Sequence, residues 1–364
     1  MTGSVRLIAV GDLQLGDSAT CVGFGFRSRV SKSALAGALA EFRSTVGASD
    51  ITFGNLETPL SDLALNRTRR RSRQLRGAPD LAEALRSAGF TLLNVANNHS
   101  LEHGASAFAD SVQRLEAHGI GVCGRRGVDG WASEPSVISA NRVRVGTLGY
   151  TLRKTDAGAP APHAEPSEDQ ILADVVRLRP TVDALVVSLH WGEEFVRAPS
   201  RAEVALAHRV VDAGATLILG HHPHVARPVE RYRNSVIAYS LGNFAADMVW
   251  HAPLRDGLVL DCEIQVGGVE QVRVYKTRID DRFVPRLDNE RQLPVTSAND
   301  VPSLADDEYI RQARATVAAQ RRDLYRYTAR NAWRFDPAVL LELATTTVRG
   351  KVSGLFGTRD EIWG

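Results

Sequence analysis

Cysteine, lysine and long apolar runs are all scarce in this chain of 364 residues, and each shortage excludes something. The three cysteines, Cys21, Cys123 and Cys262, are isolated and odd in number, which fits neither a disulfide framework nor a paired-cysteine metal site. They read as reduced core thiols. Lysine occurs only at Lys32, Lys154, Lys276 and Lys351, so arginine supplies nearly all the positive charge, and the formal net charge is only +2. No global field argues for a nucleic-acid partner. No apolar run approaches the ~20 residues needed to span a bilayer. Met1-Thr2-Gly3-Ser4-Val5-Arg6 leads straight into a strand pattern, without the basic segment and apolar stretch of a secretory signal. The expectation is a cytoplasmic protein with no membrane anchor, and the pattern says nothing of oligomeric state.

What is present is a 44% hydrophobic content, enough for a sizeable core, arranged as short Val-, Ile- and Leu-rich runs alternating with helix-period segments. That is the pattern of an α/β protein with a buried sheet. Strands are predicted at 5–10, 50–54, 90–96, 143–149, 183–190, 215–220 and 236–241. Helices are predicted at 79–85, with Pro79 at the start and Gly89 as a C-cap, and at 105–118 and 201–211. Two alternating runs around Gly267-Gly268 predict a hairpin over 257–279. Beyond Asp281 the charge density rises, and helices are predicted at 306–327 and 337–347. The reading is one catalytic domain over residues 1–280, with a helical C-terminal extension, 281–364, packed on it.

Polar residues fall where the predicted strands end. His221-His222-Pro223-His224 places three imidazoles within four residues directly after an apolar run, with Pro223 stiffening the turn. A histidine-rich surface loop is the simpler alternative. Against it, Gly11-Asp12, Asn55-Leu56-Glu57, Asn97-Asn98-His99, His190-Trp191-Gly192 and Gly242-Asn243 end other strands in the same way. Strand ends of open α/β sheets meet in the crevice where ligands bind. Carboxylates, an amide and imidazoles make a mixed oxygen and nitrogen donor set, suited to two divalent cations such as manganese, zinc or iron. A carboxylate such as Asp12 or Glu57 can bridge such a pair, and a water held there loses a proton near neutral pH.

Taken together, these words resemble the CapA or PgsA-like proteins of poly-γ-glutamate capsule synthesis, within the metallo-dependent, calcineurin-like phosphatase superfamily. The matching words are Gly11-Asp12-Leu13-Gln14, Gly54-Asn55-Leu56-Glu57-Thr58-Pro59, Ala96-Asn97-Asn98-His99-Ser100, His190-Trp191-Gly192-Glu193-Glu194, Gly220-His221-His222-Pro223-His224 and Ser240-Leu241-Gly242-Asn243-Phe244. They occur in family order between residues 6 and about 245. The resemblance implies a four-layer α/β/β/α sandwich with metals at the sheet edges. It also implies site roles: Asp12 and His224 on the first metal, Glu57 in the bridging position, and Asn98, His190 and His222 on the second. His99 then stands where the superfamily keeps a histidine that assists the leaving group. The chain departs from the phosphatase pattern at Gln14, where an imidazole ligand of the first metal is expected.

Arg67-Thr68-Arg69-Arg70-Arg71-Ser72-Arg73-Gln74-Leu75-Arg76 follows the Glu57 word and is either a solvated basic loop or a clamp for an anionic group. Arg76 and Arg73 are the candidate substrate-binding arginines, with Trp191 as a pocket wall and Asn243 as a hydrogen-bonding group. Glu102 and Glu193 are candidates for orienting imidazoles, or for capping loops. The expected function is a metal-dependent hydrolase that uses a metal-activated water on a phosphoester or γ-glutamyl-type amide of an acidic small molecule or peptide. The alternative is a non-hydrolytic or amide-forming component of poly-γ-glutamate or small-molecule biosynthesis.

Overall fold

The computed structural model describes residues 3–63, 69–154, 161–335, 337–342 and 345. Its strands, in chain order, are β1 (Ser4–Leu13), β2 (Ile51–Leu56), β3 (Leu92–Asn94), β4 (Gly121–Cys123), β5 (Ser136–Ala140), β6 (Val143–Thr151), β7 (Ala184–His190) and β8 (Leu217–His221). They continue as β9 (Val229–Tyr232), β10 (Ser235–Ala238), β11 (Asn243–Ala245), β12 (Asp256–Gln265), β13 (Gly268–Ile279), β14 (Pro285–Gln292) and β15 (Thr296–Ser297). The helices are α1 (Phe26–Arg29), α2 (Lys32–Val46), α3 (Arg69–Arg73), α4 (Leu81–Ser87), α5 (Gly104–Ala117), α6 (Glu168–Leu178), α7 (Arg201–Asp212) and α8 (Asp306–Arg330).

Two sheets form. One runs β14-β13-β12-β1-β2-β3-β4, with β11 also on β1, and the other runs β15-β9-β10-β8-β7-β6-β5. Side-chain alternation along the central strands shows how they stack. Val5, Leu7 and Ala9 of β1 pack with Ala184 and Val186 of β7 and with Leu217 and Leu219 of β8, between the sheets. The intervening Ile8 and Val10 face Leu35 and Leu39 of α2, Leu85 of α4 and Leu115 of α5. On the other sheet, Leu185, Val187 and Ile218 face Ile171 and Val175 of α6 and Leu206 and Val210 of α7. The result is the expected α/β/β/α sandwich. Helices α6 and α7 begin with capping boxes, Ser167 with Gln170 and Ser200 with Glu203, which satisfy the first free N–H groups of each helix. Among the described residues, no helix is long and apolar enough to cross a membrane.

Parallel pairing aims the chemistry. β1, β2, β3 and β4 are mutually parallel, as are β6, β7, β8 and β10, so each set presents its carboxyl ends together. At its carboxyl end β1 pairs with β11, Asp12 opposite Asn243, after β12 has left it at Val10. This approach requires glycine at position 11, where a Cβ would lie 1.9 Å from the Gly242 carbonyl oxygen. At Gly220 a Cβ would lie 2.3 Å from the Tyr239 carbonyl oxygen.

All seven predicted strands are present, and the predicted hairpin is β12–β13. The stretch beyond residue 280 differs from expectation. Before α8 it adds β14 antiparallel to β13 and β15 parallel to β9, so this extension contributes an edge strand to each sheet. These edge strands, β14 rich in charge and β15 only two residues long, lack the apolar alternation by which strands are recognised. Helix 337–347 is described only in part, and residues 337–342 are helical.

The turn after β1 is held by two buried carboxylates. Asp17 accepts hydrogen bonds from the Gly23 and Ser28 amides, and Asp247 accepts from the Ser18 and Phe26 amides. Burial, with the charge of nearby Asp17, pushes the Asp247 carboxyl up to about 7. A raised carboxyl pKa means that the folded state binds the proton more tightly. Its contribution is complete below the unfolded value near 3.8 and is lost as pH rises through 7. Asp247→Asn is therefore expected to remove a slope of up to about 1.4 kcal/mol per pH unit between pH 4 and 7. Urea unfolding across that range checks it, and parallel wild-type and variant curves would show that Asp247 contributes no slope.

Candidate metal centre

Six predicted ligands from five strand ends lie in one buried crevice. Asp12 comes from β1, Glu57 directly follows β2, Asn98 follows β3, His190 ends β7, and His222 and His224 follow β8. One donor atom each from Asp12, Glu57 and His190 falls within a 4.8 Å group, and Glu194, His222 and His224 form a second such group. His224 joins the two, with Nδ1 3.5 Å from Asp12 Oδ2 and 3.9 Å from Glu57 Oε2. His190 Nε2 lies 3.7 Å from Glu57 Oε1 and 2.7 Å from Asn98 Oδ1. The resemblance had placed His190 and His222 together; the structure groups His190 with Asp12 and Glu57, and His222 with His224. Their rings still sit 4.8 Å apart.

The surrounding chain orients these donors. Asn55 donates its amide N–H to Asp12 Oδ1 and approaches His190 Nδ1, and Asn94 donates to Asn55 in turn. His222 and His224 hold φ values of 93° and 57°, a left-handed backbone that histidine adopts only when its surroundings enforce it. Asn243 Oδ1 lies 2.9 Å from His224 Nδ1, while its amide donates to the Leu254 carbonyl. Asn243 is thus engaged by the protein at both ends and holds His224, in place of the expected role at a substrate.

The donor set passes a direct test of fitness for cations. Both Glu57 carboxylate oxygens and both His222 ring nitrogens are buried without a hydrogen-bond partner. Such orphaned groups carry a desolvation penalty that a bound cation relieves. Burial and the charge of Asp12 drive the Glu57 carboxyl well above the ordinary range. Burial alone would raise Asp12, but facing His221 and His224 hold it well below. Burial works against charge on His224 as well, yet Glu57 and Asp12 push it up to about 10. A proton there occupies the ground a metal ion would take between two carboxylates. Burial and neighbouring imidazoles keep His190 and His222 neutral, the ligating form.

Residues 6–248 match the model of the family described as bacterial capsule synthesis protein, PGA_cap. The chain belongs to this family. It is 32% identical over 265 residues to the capsule biosynthesis protein CapA of Bacillus anthracis, covering 69% of this chain and 62% of that protein. It is 30% identical over 232 residues to the PGA biosynthesis protein CapA of Bacillus subtilis, covering 62% of this chain and 61% of that one. A probable polyglutamine synthesis accessory protein of Mycobacterium tuberculosis is 30% identical over 226 residues, 58% of each chain. This PGA_cap member therefore spans less than two thirds of each of these relatives. Among solved structures it is similar to a calcineurin-like phosphoesterase, YfkN, of Bacillus subtilis, with a TM-score of 0.41, 11% identity and coverage of 90% and 100% of the two chains. A 5'-nucleotidase of Candida albicans gives a TM-score of 0.46 at 11% identity, covering 90% of this chain and 58% of that one.

Among the other predicted site residues of this PGA_cap chain, Arg76 and Trp191 sit differently from expectation. Arg76 spends its guanidinium on the carbonyls of Ser61, Leu63 and Ser72, so it fixes a loop and does not present itself to an anion. Trp191 packs in the core, stacked on Tyr239 and donating to its carbonyl, and is not a pocket wall. Arg73 is exposed on α3, and the neighbouring Gln74 joins this segment to the Asn98 loop through Glu102. Arg67 lies outside the described residues. Glu193 pairs with Arg153, and Glu102 accepts a hydrogen bond from Gln74. His99 meets Asn98, whose Nδ2 lies 3.2 Å from His99 Nε2, and burial lowers its pKa to about 4.

Besides Glu194, further residues outside the predicted site set line the centre. Asn55 and Asn94 orient ligands, and Arg153, just beyond β6, stands half-buried where its charge reaches His222 and Glu194. The rule that strand ends carry the chemistry, applied to every strand, would have marked each of them.

Proposed function

We propose that this protein is a metal-dependent hydrolase acting on a phosphoester or a γ-glutamyl-type amide of an acidic substrate. The observation that carries the reading is the pair of adjoining donor groups, Asp12-Glu57-His190 and Glu194-His222-His224, buried around orphaned carboxylate and imidazole atoms. Asp12, Glu57, Asn98, His190, His222 and His224 would hold two divalent ions, manganese, zinc or iron. Such ions supply Lewis acidity toward the scissile group and acidify a water.

The chain's own residues do the rest. Asn55 and Asn243 hold Asp12, His190 and His224 in place. With Asn98 Nδ2 donating to His99 Nε2, the neutral imidazole carries its proton on Nδ1, which has no partner and is buried. That N–H would hydrogen-bond the charge that develops on a leaving oxygen or nitrogen, keeping its own proton as a neutral imidazole does. The half-buried Asn98, Glu194 and Arg153 mark where the crevice meets solvent, and Arg153 there suits an anionic substrate. His99→Ala is expected to lower turnover by about 10²–10³-fold without changing the metal content. The test is a panel of phosphoesters and γ-glutamyl peptides assayed with each metal. Absence of metal-dependent turnover across the panel counts against hydrolysis.

The names of the relatives support a second reading, a non-hydrolytic or amide-forming component of poly-γ-glutamate synthesis. Polyglutamate binding that His190→Ala and His222→Ala leave unchanged, with no turnover, would favour it.

A further inference from the structure

We infer that Glu194 is itself a metal ligand, completing with His222 and His224 the half of the centre that has no other carboxylate. The inference rests on the metal-centre reading above. Four observations carry it. First, a Glu194 carboxylate oxygen lies within 4.8 Å of nitrogens on both His222 and His224. Metal bonds of about 2.0–2.2 Å set ligand atoms some 3 to 4 Å apart, so only a small closure is needed. Second, His222 is 1% exposed, and neither ring nitrogen has a partner.

Third, the backbone around Glu194 is fixed to the histidine turn and not left as a free loop. The Phe195 amide donates to the Pro223 carbonyl at 2.8 Å, joining the 194–195 turn to the turn between the two imidazoles. Arg227 brackets Glu194, donating to the carbonyls of Glu193 and Val196, and Tyr309 of α8 accepts the Glu193 amide at 2.7 Å. Fourth, the charges call for it. Asp12 and Glu57 supply two negative charges against the four positive charges of two divalent ions, and Gln14 brings none. Glu194 adds a third to the deficient half.

Glu194→Gln keeps the shape and removes the charge. Full-length protein, stripped of metal, is titrated with Co(II) alone and followed by calorimetry and visible absorption. Wild type is expected to take up two equivalents. Glu194→Gln should bind one of them at least about tenfold more weakly, with an altered Co(II) spectrum, while its metal-free circular dichroism matches wild type. Asp12→Asn serves as the comparison from the other half. An unchanged isotherm and spectrum for Glu194→Gln, with Asp12→Asn weakened, would remove Glu194 from the centre and leave the centre standing. No Co(II) uptake by wild type would overturn both.

Discussion

Saturating manganese, zinc or iron is expected to raise the unfolding free energy of the wild-type protein by about 5 kcal/mol, and that of Glu57→Gln by less than half as much. The size follows from mass action, since a ligand at a hundredfold excess over its dissociation constant stabilises by about 2.7 kcal/mol per site. Glu57 is chosen because it is fully buried and both its oxygens lack hydrogen bonds. It faces Asp12, whose charge makes the Glu57 carboxylate harder to keep ionised. A carboxylate so placed is a liability when no cation is present. Metal-free Glu57→Gln is accordingly expected to be more stable than wild type by about 1–3 kcal/mol, because the amide carries no charge for Asp12 to repel and needs no proton to be neutral. The order of stability should therefore invert when metal is added. Urea unfolding in chelator and then in excess metal measures both terms. Equal metal stabilisation of variant and wild type would remove Glu57 from the centre, and a metal-free variant less stable than wild type would show that Glu57 has partners other than a cation.

The ligand crevice was legible in the sequence for a simple reason. Parallel strands deliver their carboxyl ends to one edge, so the strand-end words holding Asp12, Glu57, Asn98, His190, His222 and His224 could be read as neighbours, and the family resemblance singled out these six as candidate ligands among them. What lies beside the ligands was harder to read. Arg76 belongs to an arginine-rich run that suggests an anion clamp, and nothing in the run reveals that backbone carbonyls consume its guanidinium. Trp191 adjoins His190, but successive residues of an extended chain face opposite ways, and its ring enters the helix-covered layer. Glu193 and Glu194 are chemically alike, and only the folded turn decides that one meets Arg153 and the other the imidazoles. Strand β14, PRLDNERQ, has no apolar alternation and β15 is only two residues long, so neither shows a period. Contacts between Arg227 and Tyr309, 82 residues apart, leave no local signature at all.

That last contact leads to the second large effect. Arg227→Ala is expected to destabilise the protein by about 3–5 kcal/mol, because it breaks a buried ion pair and leaves the charge of its partner uncompensated. The Arg227 side chain is 0% exposed and donates to Glu203 Oε1 at 2.7 Å. Glu203 is already committed through its other oxygen, which accepts the Ser200 amide in the cap of α7. Loss of the arginine therefore frays a helix start as well as the 193–196 turn. Tyr309→Phe is milder, at about 1–2 kcal/mol, since it removes one hydroxyl that accepts from the Glu193 amide and from Arg227. The two changes share partners, so their effects should fall short of additive in a double-mutant cycle. Both variants should also weaken metal binding at the His222-His224 half, through the turn they hold, while sparing the Asp12-Glu57 half. Because α8 lies outside the 6–248 family match, this would make a segment beyond the shared domain a working part of the centre. Unfolding curves that place Arg227→Ala within about 0.5 kcal/mol of wild type, the spread of surface changes, would show that the clamp is ornamental.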